Sequence, residues 1–299
     1  ATTEIGNTVM GYGAGKSIRH DTSDQNVLIG YEASVGGTGA RSQSVAIGYR
    51  AWGNGGSANN IGGSENVFIG AESGGGTWET SASDGNTAVG WNTMKGAMNG
   101  AANNTALGKS ALAALTEGDG NIAVGRSSGE SITTGNYNCF IGMNSGDTLT
   151  IGVRNTAIGR NALATTVDVD HVVAIGYNAL GGAALGVGAG DGTGADGTIG
   201  IGYNVMESLT SGSGNIAIGF EALKAEDDGD FNTAVGYKAL TAQEGITGTV
   251  KNTAVGYSSM AAITTGTYNV ALGGNALPTA TTVLKSVAIG AHAMSDVPA

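Results

Sequence analysis

Acidic side chains in one long insertion are the first residues whose type could do chemistry. The insertion spans residues 177–201 and contains the run Gly-Asp-Gly-Thr-Gly-Ala-Asp-Gly. Aspartate and carbonyl oxygens are ligands that calcium accepts, so Asp191 and Asp196 are candidate calcium ligands. The run lacks the regular aspartate spacing and terminal glutamate of an EF-hand loop. A second acidic run, from Glu226 to Asp230, is interpreted as a solvated turn.

Five further side chains are candidates for contact with a ligand. Trp52 and Trp78 lie in loops that combine aromatic and polar residues, which suits contact with a glycan or a protein. Lys109, Arg126 and Arg160 occupy one repeated position of the chain, so we expect them to lie near one another. Nearby acidic side chains are the expected partners of these cations, and a bound acidic glycan is the alternative.

The same repeated position carries an aromatic side chain in much of the chain. Its aromatic members are Tyr12, Tyr31, Tyr49, Trp91, Tyr177, Tyr203, Phe220, Tyr237 and Tyr257. If the repeats stack, these rings form a column. The column is interpreted as a packing ladder that stiffens the structure, and a platform for sugar rings is the alternative.

Catalysis finds little support in the sequence. The three histidines, His20, His171 and His292, fall at unrelated positions of the repeat. No catalytic triad order, metal-ligand triplet, phosphate-binding loop or nucleotide fingerprint accompanies them. Cys139, the one cysteine, occupies a position that Thr, Val or Ile fills elsewhere, so it is interpreted as a packed residue. The chain is therefore predicted not to be an enzyme and to need no cofactor.

Charge and hydropathy exclude two classes of partner. The formal net charge is −11, and the 13 Lys and Arg residues form no basic cluster. Phosphate backbones and anionic membrane surfaces would repel such a chain, so we expect no nucleic-acid partner. No apolar run approaches the length of a membrane span, so no membrane insertion is predicted.

A short repeated phrase, Asn-x-Ala-hydrophobic-Gly, must position all of these residues. The commonest spacing between successive copies is 17 residues, and the longer spacings are insertions. Its glycine stands at Gly11, Gly30, Gly48, Gly70, Gly90, Gly108, Gly125, Gly142, Gly159, Gly176, Gly202, Gly219, Gly236, Gly256, Gly273 and Gly290. A fixed short period is typical of a solenoid. The sequence therefore predicts one elongated all-β body over residues 1–299, a parallel β-roll or β-helix of about 16 coils.

Each copy of the phrase is expected to form a strand whose side chains alternate between two faces. In Asn232-Thr233-Ala234-Val235-Gly236, the second and fourth residues are predicted to face the interior, because the fourth is nearly always Val, Ile or Leu. The leading Asn is expected to tolerate a left-handed backbone and to stack on the Asn of the next coil. The glycine is expected to end the strand at a turn.

The alternation predicts that the third residue, usually Ala, faces outward. A monomer would then expose a stripe of alanines along its length, and contiguous exposed apolar surface usually marks an interface. We therefore expect the chain to form a homo-oligomer whose small side chains let the backbones approach closely.

The phrase resembles repeats of two families of fibrous surface proteins. Ser44-Val45-Ala46-Ile47-Gly48 is similar to the head repeats of trimeric autotransporter adhesins. The longer form, Asn232-Thr233-Ala234-Val235-Gly236-Tyr237-Lys238-Ala239-Leu240, resembles repeats of phage tail fibres. The resemblance covers residues 5 to 295 and implies a parallel β-roll assembled as a homotrimer.

The resemblance implies a structural fibre or adhesin segment of a phage tail fibre or cell-surface appendage. Such a segment would attach to a glycan or protein on a host surface, in a virion or outside the cell. Three parallel copies would raise avidity without a tight single site. One alternative is a purely structural spacer or filament subunit. A second is a trimeric glycan depolymerase that uses paired carboxylates.

Overall fold

The chain folds into two compact units, residues Ala1–Ile151 and Gly152–Ala299. The structure is a computed structural model and describes residues 6–16, 23–35, 39–53, 62–78, 81–182, 194–245 and 247–295. These residues form strands, turns and bends but no helix, and they make a parallel β-solenoid of about 14 turns. The all-β solenoid is therefore confirmed, whereas 16 coils and a single elongated body stay predictions.

Each copy of the repeated phrase forms a three-residue strand. The strands of the first unit are β1 (Thr8–Met10), β2 (Val27–Ile29), β3 (Arg41–Ser42), β4 (Val45–Ile47), β5 (Gly63–Ser64), β6 (Val67–Ile69), β7 (Thr87–Val89), β8 (Thr105–Leu107), β9 (Ile122–Val124) and β10 (Cys139–Ile141). The strands of the second unit are β11 (Thr156–Ile158), β12 (Val173–Ile175), β13 (Ile199–Ile201), β14 (Ile216–Ile218), β15 (Gly229–Asp230), β16 (Thr233–Val235), β17 (Gly248–Thr249), β18 (Thr253–Val255), β19 (Val270–Leu272) and β20 (Val287–Ile289).

The strands pair in parallel and in register within each unit. The main sheet of the first unit has the order β1-β2-β4-β6-β7-β8-β9-β10, and that of the second has the order β11-β12-β13-β14-β16-β18-β19-β20. Two minor pairs, β3-β5 and β15-β17, form at the return turns. Because the register repeats the phrase, equivalent side chains form columns along each sheet.

The orientation predicted for these strands is wrong. In β11 the middle residue, Ala157, is fully buried, whereas its neighbours Thr156 and Ile158 lie on the outer face. The interior is narrow, because a Cβ atom on Gly200 in the middle of β13 would lie 3.1 Å from the side chain of Leu180, the equivalent of the buried Leu163. A methyl group is all that fits opposite such a residue. The exposed stripe of alanines therefore does not exist, and the larger aliphatic side chains point outward instead.

Core volumes are balanced across the coil. Phe68 and Phe140 occupy the inward position where most turns have Ala, and both are fully buried. Each faces a glycine, Gly74 or Gly146, at the position where other turns place Leu or Met. A Cβ atom on Gly146 would lie 2.6 Å from the Phe140 ring. Large and small residues thus alternate between the two walls, as close packing requires.

A column of glycines closes the end of each strand. Gly125 has a backbone φ of 135°, and a Cβ atom there would lie 2.4 Å from the carbonyl oxygen of Gly142 in the next turn. A side chain is therefore excluded both by the backbone conformation and by the neighbouring turn. The prediction that glycine is needed here for a turn and close packing is confirmed.

The turn after each repeated glycine uses left-handed backbone at two positions, which most turns fill with residues other than glycine. In one such turn these are Lys238 (φ 53°) and Leu240 (φ 51°). Asn tolerates this conformation best and is frequent at the first of the two positions. A leucine in this conformation, as at the second position, is normally strained. Leu240 is fully buried, so its burial offsets the strain.

Candidate functional site

An asparagine ladder fixes the start of most strands of the two main sheets. Asn121 is buried, and its Oδ1 accepts a hydrogen bond from the backbone N–H of Asn138 at 3.0 Å in the next turn. Its Nδ2 donates to the carbonyl oxygen of Gly135 at 2.8 Å. Each amide thus satisfies backbone groups of the following turn that water cannot reach. The predicted stacking of asparagines is confirmed.

The left-handed backbone expected at this asparagine lies one residue earlier. Tyr137, directly before Asn138, has a φ of 59°, and His171 holds the same position in another turn with a φ of 60°. The asparagine itself starts an extended strand, so its value lies in hydrogen bonding rather than in turn conformation.

The outward side chains of the main strands form an aliphatic face in each unit. We define the aliphatic face as the first and third residues of every three-residue strand. These residues are Thr, Val, Ile, Leu, Met or Cys, and none of them is charged. Leu107 in the first unit and Leu272 in the second are 50% and 47% exposed. Eight strands about 4.8 Å apart make a face about 35 Å long in each unit. Monomeric proteins rarely expose a contiguous apolar strip of that length.

The aromatic side chains stack as the sequence predicts. In the second unit Tyr177, Tyr203, Phe220, Tyr237 and Tyr257 form a continuous stack with neighbouring ring centroids 5.2–5.3 Å apart and planes within 12° of parallel. A shorter stack joins Tyr12, Tyr31 and Tyr49 in the first unit. We call this position the ring column in both units. Since each ring inside a stack is covered on both faces by its neighbours, only ring edges there meet solvent. The packing ladder is therefore the better interpretation of the stacked rings.

Lys109 and Arg160, two of the predicted ligand-binding cations, cover exposed ring faces. The Lys109 ammonium lies 4.7 Å from the centre of the Trp91 ring in the first unit. The Arg160 guanidinium lies 5.8 Å from the centre of the Tyr177 ring in the second. Cation–π attraction of this kind orients the long side chains. Both cations lie at the surface, where the sequence placed them.

Arg126, the third cation, lies beside acidic side chains of its own unit. Burial raises the pKa of Asp147, and repulsion from Glu130 raises it further, whereas the positive charge of Arg126 lowers it. The charge of Arg126 therefore acts on the Asp147 carboxylate, and pairing of the three cations with nearby acids stays a prediction. The sequence could not separate this cation from the two that cover rings.

The two tryptophans predicted to contact a ligand are buried instead. Trp52 is 1% exposed and Trp78 is 0% exposed, and each ring packs within 5.8 Å of the Phe68 ring. The guanidinium of buried Arg41 lies 4.8 Å from the centre of the Trp52 ring, and burial lowers the pKa of Arg41 to about 10. These residues form an aromatic core, so we exclude both tryptophans from any ligand site. The polar residues around them in the sequence had suggested an exposed loop.

Of the two candidate calcium ligands, Asp191 lies outside the described residues. Asp196 is half-buried, and its carboxylate accepts a hydrogen bond from the backbone N–H of Asp170 at 2.8 Å. Asp170 in turn accepts from the N–H of Val153 at 2.7 Å. Burial, the largest effect, raises the pKa of Asp196. Asp196 therefore belongs to a second ladder of side-chain acceptors at the corner of the coil, which the sequence pattern did not reveal.

The acidic run from Glu226 to Asp230 is not the simple solvated turn that the sequence predicted. Glu226 is fully buried, and its Oε1 accepts from the backbone N–H of Gly229 at 2.6 Å while Gln243 donates to the other oxygen. Oxygens of Glu226, Asp227 and Asp228 lie within 4.8 Å of one another, the one such acidic group in the described part of the chain. Because internal donors engage Glu226, its carboxylate serves the fold. Burial raises its pKa.

The remaining chemistry-bearing residues do not come together. His171 lies before a strand of the second unit, His292 lies in the turn after β20, and His20 is outside the described residues. Cys139 lies on the aliphatic face, half-buried, and burial raises the pKa of its thiol. The described residues also include no helix with the length and hydropathy to traverse a bilayer.

The fold and these columns define the class of the chain as a parallel β-solenoid repeat protein. Comparisons with protein-family models, with curated proteins and with solved structures found no match. The function must therefore be argued from the columns themselves.

Proposed function

We propose that the chain is a segment of a homotrimeric extracellular fibre or adhesin, of about 16 coils, that attaches to a host or surface ligand. The aliphatic face is the single observation that carries this proposal. It exposes side chains such as Leu107 and Leu272, which elsewhere would be buried. Such a strip occurs in both units, and contiguous exposed apolar surface usually marks an interaction site.

A second copy of the chain is the partner whose chemistry fits best. The face is flat, regular and uncharged, and it repeats with the strand spacing, so an identical face can match it turn by turn. The number of three copies comes from the resemblance to trimeric fibres. Parallel copies would present identical turn surfaces to a repetitive ligand and raise avidity.

Native molar mass measured by light scattering tests the assembly. We expect about three times the chain mass of 29.3 kDa. Leu107→Glu places a charge on the aliphatic face and should shift the mass toward that of one chain. Thr134→Glu is the matched control, because Thr134 is exposed on a turn away from the face. A wild-type monomer, or equal masses for the two variants, would remove the basis of the proposal.

A purely structural spacer is the second candidate function. Two observations favour it: the stacked rings cover one another's faces, and Trp52 and Trp78 are buried. Aromatic side chains that could have contacted a ligand therefore stabilise the fold instead. Replacing residues 183–193 by a short Gly-Ser linker tests the two functions while leaving every described residue in place. Loss of attachment with an unchanged molar mass supports the adhesin, and unchanged attachment supports the spacer.

A further inference from the structure

The ring column of the first unit is interrupted at Ala71. The backbone N–H of Glu72 donates to the carbonyl oxygen of Tyr49 at 2.8 Å, and that of Asn92 donates to the carbonyl oxygen of Ala71 at 3.1 Å. Ala71 therefore lies in the turn directly between those of Tyr49 and Trp91. Its side chain is a methyl group where the neighbouring turns carry rings.

Each ring beside Ala71 is covered by a side chain from the turn on its far side. Tyr49 lies 5.5 Å from Tyr31 with planes within 12° of parallel, so one of its faces is covered and the other is directed toward the Ala71 turn. Lys109, from the turn beyond, covers one face of Trp91, which leaves the other directed toward Ala71. The two rings are 46% and 48% exposed.

The space between these rings has the dimension of one further ring. Tyr49 and Trp91 are two turns apart, or about 9.6 Å at the usual strand spacing. A ring inserted over Ala71 would lie about 4.8 Å from each neighbour, which is within the range of ring contacts. In the second unit Phe220 fills this place between Tyr203 and Tyr237, with centroids 5.2 Å away on both sides.

The polar groups around the gap favour a ring that carries hydroxyl groups. Glu72 pairs with Lys95 at 2.5 Å, and Arg50 pairs with Glu32 at 2.8 Å, each with both side chains partly exposed. Glu32, Arg50 and Glu72 each follow the ring position by one residue, and we call them the polar column. The Arg50 guanidinium is 5.2 Å from the Tyr49 ring centre, so the polar column lies against the ring column.

We propose that the gap at Ala71 binds one pyranose ring of a neutral sugar, sandwiched between Tyr49 and Trp91. A pyranose has C–H bonds on both faces and is thicker than an aromatic ring, so it fills the two spaces of about 4.8 Å more completely. Its hydroxyl groups extend from the ring edge toward the polar column. Apolar faces with a few polar groups are typical of small-ligand sites.

The site lies within one turn region of the first unit and does not require the assembly. Only the biological role of the site rests on the proposed function: if the chain is an adhesin, the site identifies its surface ligand as a glycan. The end of the second-unit stack is a poorer candidate, because Tyr257 is followed by Gly274 and a ligand there would contact one ring face instead of two.

Saturation-transfer NMR on the full chain tests the site with methyl glycosides of glucose, galactose, mannose and N-acetylglucosamine. Ala71→Tyr should fill the gap with the chain's own ring and extend the stack, as Tyr31 and Tyr49 do at the equivalent position. Ala291→Tyr is the matched control, because it adds the same ring at the equivalent position after Gly290 and leaves the gap open.

We expect saturation transfer to at least one glycoside, at least a fivefold loss in Ala71→Tyr, and wild-type transfer in Ala291→Tyr. Trp91→Ala, which removes one wall, should also abolish the signal. The absence of transfer to all four glycosides, or transfer that persists in Ala71→Tyr, would overturn the proposal. Benzyl alcohol binding in the gap without any glycoside would overturn the assignment to a sugar. Light scattering on the same samples measures the oligomeric state, so a failure of the sugar site is distinguished from a failure of the proposed trimer.

Discussion

Replacing Asn121 by alanine should destabilise the first unit more than its small change in volume suggests. The substitution leaves the backbone N–H of Asn138 without its acceptor and the carbonyl oxygen of Gly135 without its donor. Both groups lie in the buried part of the next turn. A buried polar group that loses its partner costs about 1–3 kcal/mol, so the two together should lower the free energy of unfolding by about 3 kcal/mol.

A serine at the same place should restore half of the loss. Ser44 holds the ladder position in its own turn, where its hydroxyl accepts from the backbone N–H of Asn66 at 3.0 Å and donates to the carbonyl oxygen of Ser42. Asn121→Ser therefore keeps an acceptor for the N–H of the next turn but has no amide group to reach Gly135. The expected cost is about 1–2 kcal/mol.

Hydrogen exchange and urea denaturation measure both effects. A loss of about 3 kcal/mol corresponds to exchange of the Asn138 amide that is roughly 150-fold faster. Thr134→Ala is the control in the same coil, because that side chain is exposed, and it should change stability by less than about 0.5 kcal/mol. If Asn121→Ala matched the control, or if Ser were no better than Ala, the ladder would not stabilise the coil in the way its hydrogen bonds indicate.

Three further predictions test the columns around the ladder. Gly256→Ala should lower the free energy of unfolding by at least about 2 kcal/mol, because φ is 134° and the new Cβ would lie 2.5 Å from a carbonyl oxygen, whereas Gly274→Ala, with nothing within 4 Å, should be neutral in the same denaturation assay. Phe140→Ala should cost about 3–5 kcal/mol, and adding Gly146→Leu should recover more than half, since that pair reproduces the Ala and Leu arrangement of other turns; additivity in a double-mutant cycle would contradict this. Burial raises the pKa of the Glu226 carboxyl above its usual 4.5, so the folded state binds this proton more tightly than the unfolded state does. The free energy of unfolding should therefore fall as pH rises from about 4.5 through the folded pKa. Glu226→Gln should remove that part of the pH profile of stability, and an unchanged profile would refute the prediction.

The backbone architecture could be predicted from the sequence because its determinants are local and repeated. Glycine at the end of the phrase and Asn or Ser four residues before it act on the backbone itself, and each recurs in turn after turn. Gly125 and Asn121 therefore have the structural roles that their types indicate. The ring stacks follow from the same repetition, because any side chain after the glycine is placed above its equivalent in the next turn.

The direction of the strand side chains could not be predicted, because alternation defines two faces without saying which one is inside. The usual rule that larger aliphatic residues are buried gave the wrong answer. The deciding information was on the opposite wall, where Leu163 and its equivalents already fill the interior. Gly146 opposite Phe140 carries the same information in the sequence, since a large inward residue is matched by a missing side chain.

Some residues of the candidate site were predicted correctly from the sequence and others were not, for a related reason. Trp52 stands four residues after Gly48, at the inward position where other turns place Leu or Met, so the repeat itself indicates its burial. Trp78 stands in an irregular segment, where no repeated neighbour shows which way a side chain points, and it proves to be a core residue. Lys109 and Arg160 stand in the repeat, and they lie at the surface as expected. The gap at Ala71 was visible in the sequence only as a missing ring, and it acquires meaning once the two neighbouring rings are known to face it.

The inverted orientation changes what holds the protein together. A coil whose interior is filled from the sheet by alanine, as at Ala157, gains little from burying that strand, so hydrogen-bonded ladders and close glycine contacts must fix its backbone. The larger side chains, such as Ile158 and Leu272, contribute their full hydrophobic stabilisation only when another surface covers them. Folding of each unit would therefore be coupled to the covering of its aliphatic face under the proposed assembly. Assembly on that face would supply the apolar burial that a narrow coil cannot provide for itself.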